Sequence, residues 1–246
     1  MREPNVNLIE IFSSIQGEGK YVGCRQVFVR FEGCNLNCDF CDTENEPGSH
    51  PVCHSETHAG SREFIDIPNP MTLSQVADKI NAMLAEVPHQ AVSFTGGEPL
   101  LHADFIHALA PRLHAPIFLE TNGTLWREMQ KLRDVANIVS MDIKLPSVIG
   151  EEQWENHARF IEAARNLDLY IKLVVSAETT DEEFQRAVSV AALGAPDKLF
   201  IIQPVTPNGG CHAASPEQVL RFQDAALRSL DDVRVIPQTH KMIGQI

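Results

Sequence analysis

The stretch Gly33-Cys34-Asn35-Leu36-Asn37-Cys38-Asp39-Phe40-Cys41-Asp42-Thr43 determines how the rest of the chain is interpreted. It carries three cysteines with the spacing C-x3-C-x2-C. Thiolates are soft ligands that suit both iron–sulfur clusters and zinc. Three thiolates on a [4Fe–4S] cubane leave one iron without a protein ligand, whereas a structural zinc ion needs a fourth Cys or His. The stretch therefore predicts a metal centre whose identity depends on the fourth ligand.

Two kinds of metal site fit this spacing. The first is a [4Fe–4S] cluster on the three cysteines, whose open iron can chelate the amino and carboxylate groups of S-adenosylmethionine. The second is a zinc site completed by Cys53, His54 or His58. We favour the cluster because the cysteines directly follow an expected strand, Val27–Phe31, and because motifs further along the chain support the same interpretation.

The overall composition narrows the class of protein. The chain has 246 residues, of which 43% are hydrophobic, so a single domain over residues 1–246 can bury its own core. The formal net charge is −13, which repels phosphate backbones and argues against a nucleic-acid partner. No apolar run approaches the ~20 residues of a membrane span, and the N-terminus lacks the order of a signal peptide. We therefore expect a cytoplasmic protein with no membrane partner.

Strand and helix patterns alternate along the chain. The predicted strands are Val27–Phe31, Ala91–Phe94, Ile117–Glu120, Ile138–Ile143, Leu169–Val175 and Leu199–Ile202. The predicted helices are Thr72–Val87, Ala103–Arg112, Trp126–Asp134, Glu151–Asn166, Thr180–Leu193 and Ser215–Ser229. Six strand–helix units predict an α/β fold with a parallel sheet and helices outside. Because the count is short of eight, we expect an incomplete (β/α)6 TIM-like barrel.

Three segments lie outside this repeat. Leu8–Phe12 is predicted to be an edge strand and Val233–Ile236 a last strand. Residues 44–70 show no periodicity and are rich in Pro, His, Ser and Glu. We therefore expect these residues to form a long loop or lid inserted after the cysteines.

Six further motifs are spread over nearly the whole chain. They are Gln16-Gly17-Glu18-Gly19, Thr95-Gly96-Gly97-Glu98-Pro99, Glu120-Thr121-Asn122-Gly123, Ser140-Met141-Asp142-Ile143-Lys144, Gln203-Pro204-Val205-Thr206 and Gln238-Thr239-His240-Lys241. The C-x3-C-x2-C loop after a first strand resembles the radical S-adenosylmethionine (radical SAM) superfamily. The combination of QGEG, CDT and QTHK resembles one family within it, the 7-carboxy-7-deazaguanine synthases. The resemblance implies a barrel of the radical SAM type.

The resemblance also implies a set of cofactor contacts. The residues that it places at S-adenosylmethionine are Phe40, Cys41, Asp42, Gly97, Glu98, Ser140, Asp142, Lys144, Gln203, Pro204, Val205 and Thr206. The Glu98 carboxylate can accept hydrogen bonds from the methionine ammonium group. The family often has Ser-Pro-Lys where this chain has Ser140–Lys144, so Asp142 and Lys144 could equally form an ion pair inside the barrel.

A substrate site and a Mg²⁺ site follow from the same resemblance. The residues placed at the substrate are Ile15, Gln16, Gly17, Glu18, Arg30, Thr95, Gln238, His240 and Ile246. Arg30 can bind a carboxylate through two nitrogens. The C-terminal segment 231–246 would return to the site and bring Gln238 and His240 with it. Thr43 would bind Mg²⁺, which keeps water or substrate oxygens as its other ligands.

The activity implied is the conversion of 6-carboxy-5,6,7,8-tetrahydropterin to 7-carboxy-7-deazaguanine with loss of ammonia. This is a carbon–nitrogen lyase reaction of queuosine and deazapurine biosynthesis. The resemblance further implies a flavodoxin or ferredoxin as electron donor and a homodimer. Two alternatives stay open at this point: an activase that installs a glycyl radical on a partner protein, and a zinc-binding interaction module without catalytic activity.

Overall fold

The computed structural model describes residues 3–41, 43, 46–207 and 210–245. Its strands are β1 (Asn5–Val6), β2 (Leu8–Ile15), β3 (Arg25–Phe31), β4 (Val52–Glu56), β5 (Phe64–Pro68), β6 (Met71–Thr72), β7 (Ala91–Gly96), β8 (Ile117–Thr121), β9 (Ile138–Ile143), β10 (Asp168–Val175), β11 (Phe200–Pro204) and β12 (Val233–Val235). Its helices are α1 (Leu73–Glu86), α2 (Ala103–Leu109), α3 (Trp126–Lys131), α4 (Pro146–Ile149), α5 (Trp154–Ala164), α6 (Asp181–Gly194), α7 (Pro216–Ala226) and α8 (Thr239–Met242). All six predicted strands and all six predicted helices are present, with ends that differ by a few residues.

The large sheet has the strand order β12-β11-β10-β9-β8-β7-β3-β2-β4-β5. Neighbouring strands from β12 to β3 are parallel, whereas β2 runs antiparallel to β3 and β5 runs antiparallel to β4. Among the described strands, β12 and β5 are the two edges, so the sheet is open. The parallel core from β3 to β11 confirms the predicted incomplete barrel. Strands β1 and β6 form a separate small pair.

The side chains on the inner face of the barrel change from apolar to polar along the strands. At the amino-terminal ends of the strands, a small apolar cluster closes the inside; its buried members are Ala91, Phe118, Ile138, Tyr170, Leu199 and Ile201. Because side chains alternate along a strand, the next inward positions are two residues further on. On β8 and β10 these positions are Glu120 and Lys172, which are polar. The polar end of the barrel is therefore at the carboxyl ends of the strands.

Helices α1, α6 and α7 pack on the sheet through buried apolar residues, and each begins at a side-chain cap. Thr72 and Gln75 form a reciprocal capping box at α1, and the Thr180 hydroxyl accepts a hydrogen bond from the Glu183 N–H at α6. Ser215 caps α7 in the same way. None of the described helices combines the length and the apolar character needed to cross a bilayer.

The structure corrects the expectation for residues 44–70. Strands β4 and β5 form an antiparallel hairpin there, and β4 pairs with β2, so much of the insert extends the sheet. Polar residues interrupt the apolar–polar alternation that would identify these strands in the sequence. His54 and Asp66 face each other across the hairpin, with Nδ1 2.7 Å from Oδ1. The neighbouring Cys53 is fully buried. The prediction of an irregular loop was therefore wrong for 52–56 and 64–68.

The two predicted outer strands have different outcomes. Val233–Val235 is the last strand and lies at an edge of the sheet, as predicted. The strand predicted at Leu8–Phe12 is present, but it is not an edge strand because the hairpin of the insert pairs with its other side. The insert therefore protects a strand that would otherwise expose unpaired backbone groups.

A buried carboxylate organises the turn between β4 and β5. Glu56 is 1% exposed, and its Oε2 accepts hydrogen bonds from the N–H groups of Ser13 (2.9 Å) and Gly60 (3.0 Å). Its Oε1 accepts one from the N–H of Arg62 at 2.7 Å. Arg62 Nη1 in turn donates to the carbonyl oxygen of Gly244 at 3.2 Å. The insert thus contacts the C-terminal segment.

We expect Glu56→Gln to lower the free energy of unfolding by about 1–3 kcal/mol, because its amide nitrogen would face backbone N–H groups that lose their acceptor. Urea denaturation at neutral pH measures the difference. Glu63→Gln changes an exposed carboxylate in the same hairpin and is the matched control, with an expected effect below about 0.5 kcal/mol. Equal stability of Glu56→Gln and the wild type would contradict this account of the turn.

Candidate active site

A cavity of about 670 Å³ opens at the carboxyl ends of the parallel strands. These ends meet at one edge of the sheet, which is where barrel enzymes carry their active sites. The strand residues that line the cavity include Arg30 of β3, Thr95 of β7, Glu120 of β8, Ser140 and Asp142 of β9, Lys172 of β10 and Gln203 of β11. The fold therefore brings polar residues from most of the length of the chain to one site.

The cysteine loop forms one side of this cavity. Cys34, Cys38 and Cys41 follow directly after β3 and all line the cavity. The Leu36 N–H donates to Cys34 Sγ at 3.4 Å, and Asn122 Nδ2 lies 4.0 Å from the same sulfur. Burial raises the pKa of Cys34, and it raises that of Cys38 to about 11. Such thiols become thiolates when a cationic metal centre compensates their charge.

The donor set fits an iron–sulfur cluster better than zinc. In a cubane each thiolate binds a different iron, so the sulfurs need not converge on one point. In the part of the chain that the structure describes, no three His, Cys, Asp or Glu side chains are grouped so that they could hold a single metal ion. Cys53 packs in the apolar core, His54 contacts Asp66, and His58 contacts Glu86. These three candidates for a fourth zinc ligand are therefore engaged away from the loop.

Most residues that the sequence places at S-adenosylmethionine surround the cavity. Those that line it are Phe40, Cys41, Gly97, Ser140, Asp142, Lys144, Gln203, Val205 and Thr206. Asp142 Oδ1 and Gln203 Oε1 are buried without a hydrogen-bond partner among the described residues. Because buried polar atoms are normally hydrogen-bonded, these two oxygens fit a site for a polar ligand. The prediction for Asp42 lies outside the described residues.

The structure corrects the prediction for Glu98, whose carboxylate does not line the cavity. Its Oε1 accepts hydrogen bonds from Thr121 Oγ1 (2.8 Å) and the Leu100 N–H (3.0 Å), and its Oε2 accepts one from the Asn122 N–H (2.8 Å). Burial outweighs these bonds and raises the pKa of Glu98 to about 7. The carboxylate therefore holds the loop that carries Asn122, and at 0% exposure it is buried away from the cavity.

Pro204 is the second cofactor residue that the structure does not place at the cavity. It ends β11, where it pairs with Val175 of β10. Side chains alternate along a strand, so Pro204 points away from the face on which Gln203 and Val205 line the cavity. Its side chain therefore does not line the cavity, and a contact between Pro204 and S-adenosylmethionine stays a prediction from the resemblance alone.

A row of ionic side chains crosses the cavity. Lys144 Nζ lies 2.9 Å from Asp142 Oδ2, so these two residues form the ion pair that the sequence left as an alternative. Lys172 Nζ lies 3.5 Å from the same oxygen and also contacts Glu18 Oε2. Gln238 Nε2 donates to Glu18 Oε1 at 2.7 Å. The row connects the predicted cofactor residues to the predicted substrate residues.

The structure brings together the described residues that were predicted for the substrate. Those that line the cavity are Ile15, Gln16, Gly17, Glu18, Arg30, Thr95, Gln238 and His240. Arg30 forms a salt bridge with Glu10, with Nε 2.5 Å from Oε1, and both side chains remain a quarter exposed. The guanidinium thus keeps an open side toward the cavity. The prediction for Ile246 lies outside the described residues.

The C-terminal segment is held against the Gln16–Gly19 motif. The N–H and the hydroxyl of Thr239 both donate to the carbonyl oxygen of Gly17, at 2.9 and 3.0 Å. His240 packs so closely on Gly17 that a Cβ there would lie 2.2 Å from His240 Nδ1. Gly17 is therefore required for this contact, and the contact places His240 at the cavity.

Four charged residues of the cavity were not predicted as site residues from the sequence: Glu10, Glu120, Lys172 and Lys241. Glu120 accepts hydrogen bonds from Gln16 Nε2 (2.7 Å), Ser93 Oγ (3.0 Å) and Thr95 Oγ1 (3.4 Å). Lys172 is a single charge inside the apolar run 169–175. Lysine is almost never buried in a strand unless it is paired, so this position carried a signal that could have been used.

We expect Gly17→Ala to displace the C-terminal segment, because a Cβ at position 17 would lie 2.2 Å from His240 Nδ1. Displacement would break the two hydrogen bonds from Thr239, which are worth about 1–3 kcal/mol together, so the backbone amides of 239–245 should exchange about tenfold faster or more. Hydrogen exchange followed by mass spectrometry measures this change, and the amides of α6 should exchange at the wild-type rate. Unchanged exchange in 239–245 would contradict the close packing of Gly17 on His240.

Comparisons with known proteins agree with this geometry. Residues 28–191 match the Radical SAM superfamily. This range contains the three cysteines and the parallel strands from β7 to β10, and the fold and the site are those of a radical SAM enzyme. A cluster and S-adenosylmethionine are therefore its cofactors.

Similar proteins identify one family within this superfamily. The chain is 41% identical over its full length to the 7-carboxy-7-deazaguanine synthase of Geobacter sulfurreducens, all of which is covered. It is 37% identical to that of Methanocaldococcus jannaschii, over 96% of this chain and 99% of the relative. The crystal structure of QueE from Escherichia coli has the same fold, with a TM-score of 0.64 at 20% identity over 96% of this chain and 95% of the other. The chain belongs to the 7-carboxy-7-deazaguanine synthase family.

Proposed function

We propose that this enzyme converts 6-carboxy-5,6,7,8-tetrahydropterin to 7-carboxy-7-deazaguanine and ammonia. The observation that carries the proposal is a single cavity with three cysteines on one side and the Gln16–Gly19 and Gln238–Lys241 motifs on the other. The family membership supports the same reaction and gives no support to an activase or a zinc-binding module. The conversion is a rearrangement with loss of ammonia, so it needs no net oxidant.

The cysteines and the strand ends would hold the cofactors. Cys34, Cys38 and Cys41 would bind a [4Fe–4S] cluster, which with S-adenosylmethionine supplies one-electron chemistry that removes a hydrogen atom from the pterin. The buried oxygens of Asp142 and Gln203 would accept hydrogen bonds from the polar groups of S-adenosylmethionine. These residues orient the cofactor at the open side of the barrel.

The opposite side of the cavity would hold the pterin. Arg30 offers a guanidinium edge to the substrate carboxylate, which prefers bidentate partners. Burial raises the pKa of Glu18, but the charge of Lys172 and hydrogen bonds from Lys172, Gln238 and Gln203 together lower it to about 2. Glu18 is therefore ionised and offers oxygens to N–H groups of the pterin ring. Thr95 and His240 complete this side. Closure by the C-terminal segment excludes water from the reacting carbon.

Three further features rest on the family resemblance. Thr43 would bind Mg²⁺, which would also meet the substrate carboxylate; its position beside Cys41 at the cavity supports this role. A flavodoxin or ferredoxin would supply the electron. The enzyme would act as a cytoplasmic homodimer, and a reducing compartment suits its clustered thiols.

The anaerobically reconstituted, chemically reduced enzyme should convert 6-carboxy-5,6,7,8-tetrahydropterin in the presence of S-adenosylmethionine, with ammonia and the deazaguanine formed in equal amounts. Mass spectrometry and an ammonia assay measure both products. Cys38→Ala should lose iron and activity, because it removes one of three thiolates, whereas Cys24→Ala, which lies outside the cavity lining, should keep both. Adenosyl cleavage without any pterin conversion would overturn the proposed substrate.

We expect Thr43→Val to abolish the stimulation of activity by Mg²⁺, since it removes the only hydroxyl proposed as a ligand. Thr43→Ser keeps that oxygen and is the matched control, with the stimulation retained. Activity titrated with MgCl₂ after treatment with a chelator measures the effect, and iron content checks the adjacent cysteine loop. A wild-type Mg²⁺ response in Thr43→Val would contradict the assignment.

A further inference from the structure

Lys172 lies between two carboxylates that belong to different halves of the cavity. Its ammonium contacts Glu18 Oε2 and lies 3.5 Å from Asp142 Oδ2. The side chains of the three residues are at most 18% exposed. A cation in such surroundings is held by its partners, because an unpaired buried charge costs several kcal/mol.

The two carboxylates face different proposed ligands. Asp142 belongs to β9, where it follows Ser140 on the same face, and its Oδ1 is buried without a described partner. Glu18 belongs to the Gln16–Gly19 motif, and Gln238 of the C-terminal segment donates to it. Lys172 is thus shared between the side proposed for S-adenosylmethionine and the side proposed for the pterin.

The fold fixes the position of this lysine. Strand β10 pairs with β9 in a register that places Lys172 beside Asp142, and with β11 in a register that places it beside Ile201. Two residues earlier on the same inner face, Tyr170 is fully buried in the apolar end of the barrel. The backbone of Lys172 therefore cannot move away, and only its ammonium can shift between the two carboxylates.

We propose that Lys172 is a positioning residue that couples the binding of the two ligands, so that S-adenosylmethionine strengthens pterin binding and the pterin strengthens S-adenosylmethionine binding. A ligand that donates a hydrogen bond to Asp142 Oδ1 partly compensates the negative charge of this carboxylate. Asp142 then attracts the Lys172 ammonium less strongly. The ammonium then pairs fully with Glu18 and fixes that carboxylate as an acceptor for the pterin. Linkage makes the effect equal in both directions.

This inference rests on the proposed function, because it assumes a pterin beside Glu18. The coupling does not depend on the radical reaction, since it concerns only the binding equilibria of S-adenosylmethionine and the pterin. Coupling free energies of this kind typically change affinity 5- to 150-fold. Coupling of this type favours the state in which both ligands are bound, so the cofactor is bound mainly in enzyme that also holds the substrate.

The test measures binding without turnover. 6-Carboxypterin, the oxidised form of the substrate, is titrated by calorimetry into the cluster-loaded enzyme with and without S-adenosylhomocysteine, which contains no sulfonium to cleave. The wild type should bind the pterin about tenfold more tightly when the second ligand is present. Lys172→Met, which keeps the length of the side chain without its charge, should reduce that ratio to about one. Lys172→Arg should keep most of it.

The outcomes separate the two proposals. If the wild type binds both ligands and their affinities are independent, or if Lys172→Met keeps the wild-type ratio, the coupling is overturned and the proposed function stands. If the wild type cleaves S-adenosylmethionine and binds no pterin at all, the proposed function fails and the coupling fails with it. Should Lys172→Met not fold, as judged by circular dichroism, Glu18→Gln removes the charge at the other end of the contact and should also reduce the ratio to about one.

Discussion

The close backbone contact between β3 and β7 determines where the cysteine loop lies. Gly96 has φ 115°, and a Cβ at this position would lie 2.4 Å from the carbonyl oxygen of Phe31. The N–H of Gly97 donates to that same oxygen at 3.1 Å, and the N–H of Glu98 donates to the Gly33 oxygen at 2.8 Å. Only glycine permits this approach. The base of the cysteine loop is therefore fixed to the neighbouring strand, and the thiols are fixed at the cavity.

Ion pairs inside the barrel fix the positions of the side chains that line the cavity, as the backbone contact fixes the cysteine loop. The chain as a whole is acidic, with a net charge of −13, yet the cavity holds two lysines, Lys144 and Lys172, whose side chains are 14% and 10% exposed. Lys144 and Lys172 both contact Asp142, and Lys172 also contacts Glu18. Buried ion pairs contribute little net stability, but they hold charged groups in one arrangement. The row therefore defines positions for two polar ligands within one cavity.

The sequence was sufficient for features that repeat or that lie close together in the chain. Apolar alternation located the parallel strands, and the cysteine spacing located the metal loop. The sequence was not sufficient where a contact joins residues far apart in the chain. It was also not sufficient where polar residues interrupt the apolar–polar alternation of a strand. The hairpin of the insert carries His54 opposite Asp66, and the contact between Lys172 and Glu18 joins residues 154 positions apart. The direction of the Glu98 side chain depends on hydrogen bonds to another strand–loop unit, which no local pattern shows.

We propose that the protein supplies three ligands to a four-iron cluster and leaves one iron open. Mössbauer spectroscopy of enzyme reconstituted with isotopically enriched iron tests it directly, before and after S-adenosylmethionine is added. One iron in four should change its isomer shift when S-adenosylmethionine binds, because only the open iron gains new ligands. A spectrum in which all four irons stay unchanged while S-adenosylmethionine is bound would contradict the claim.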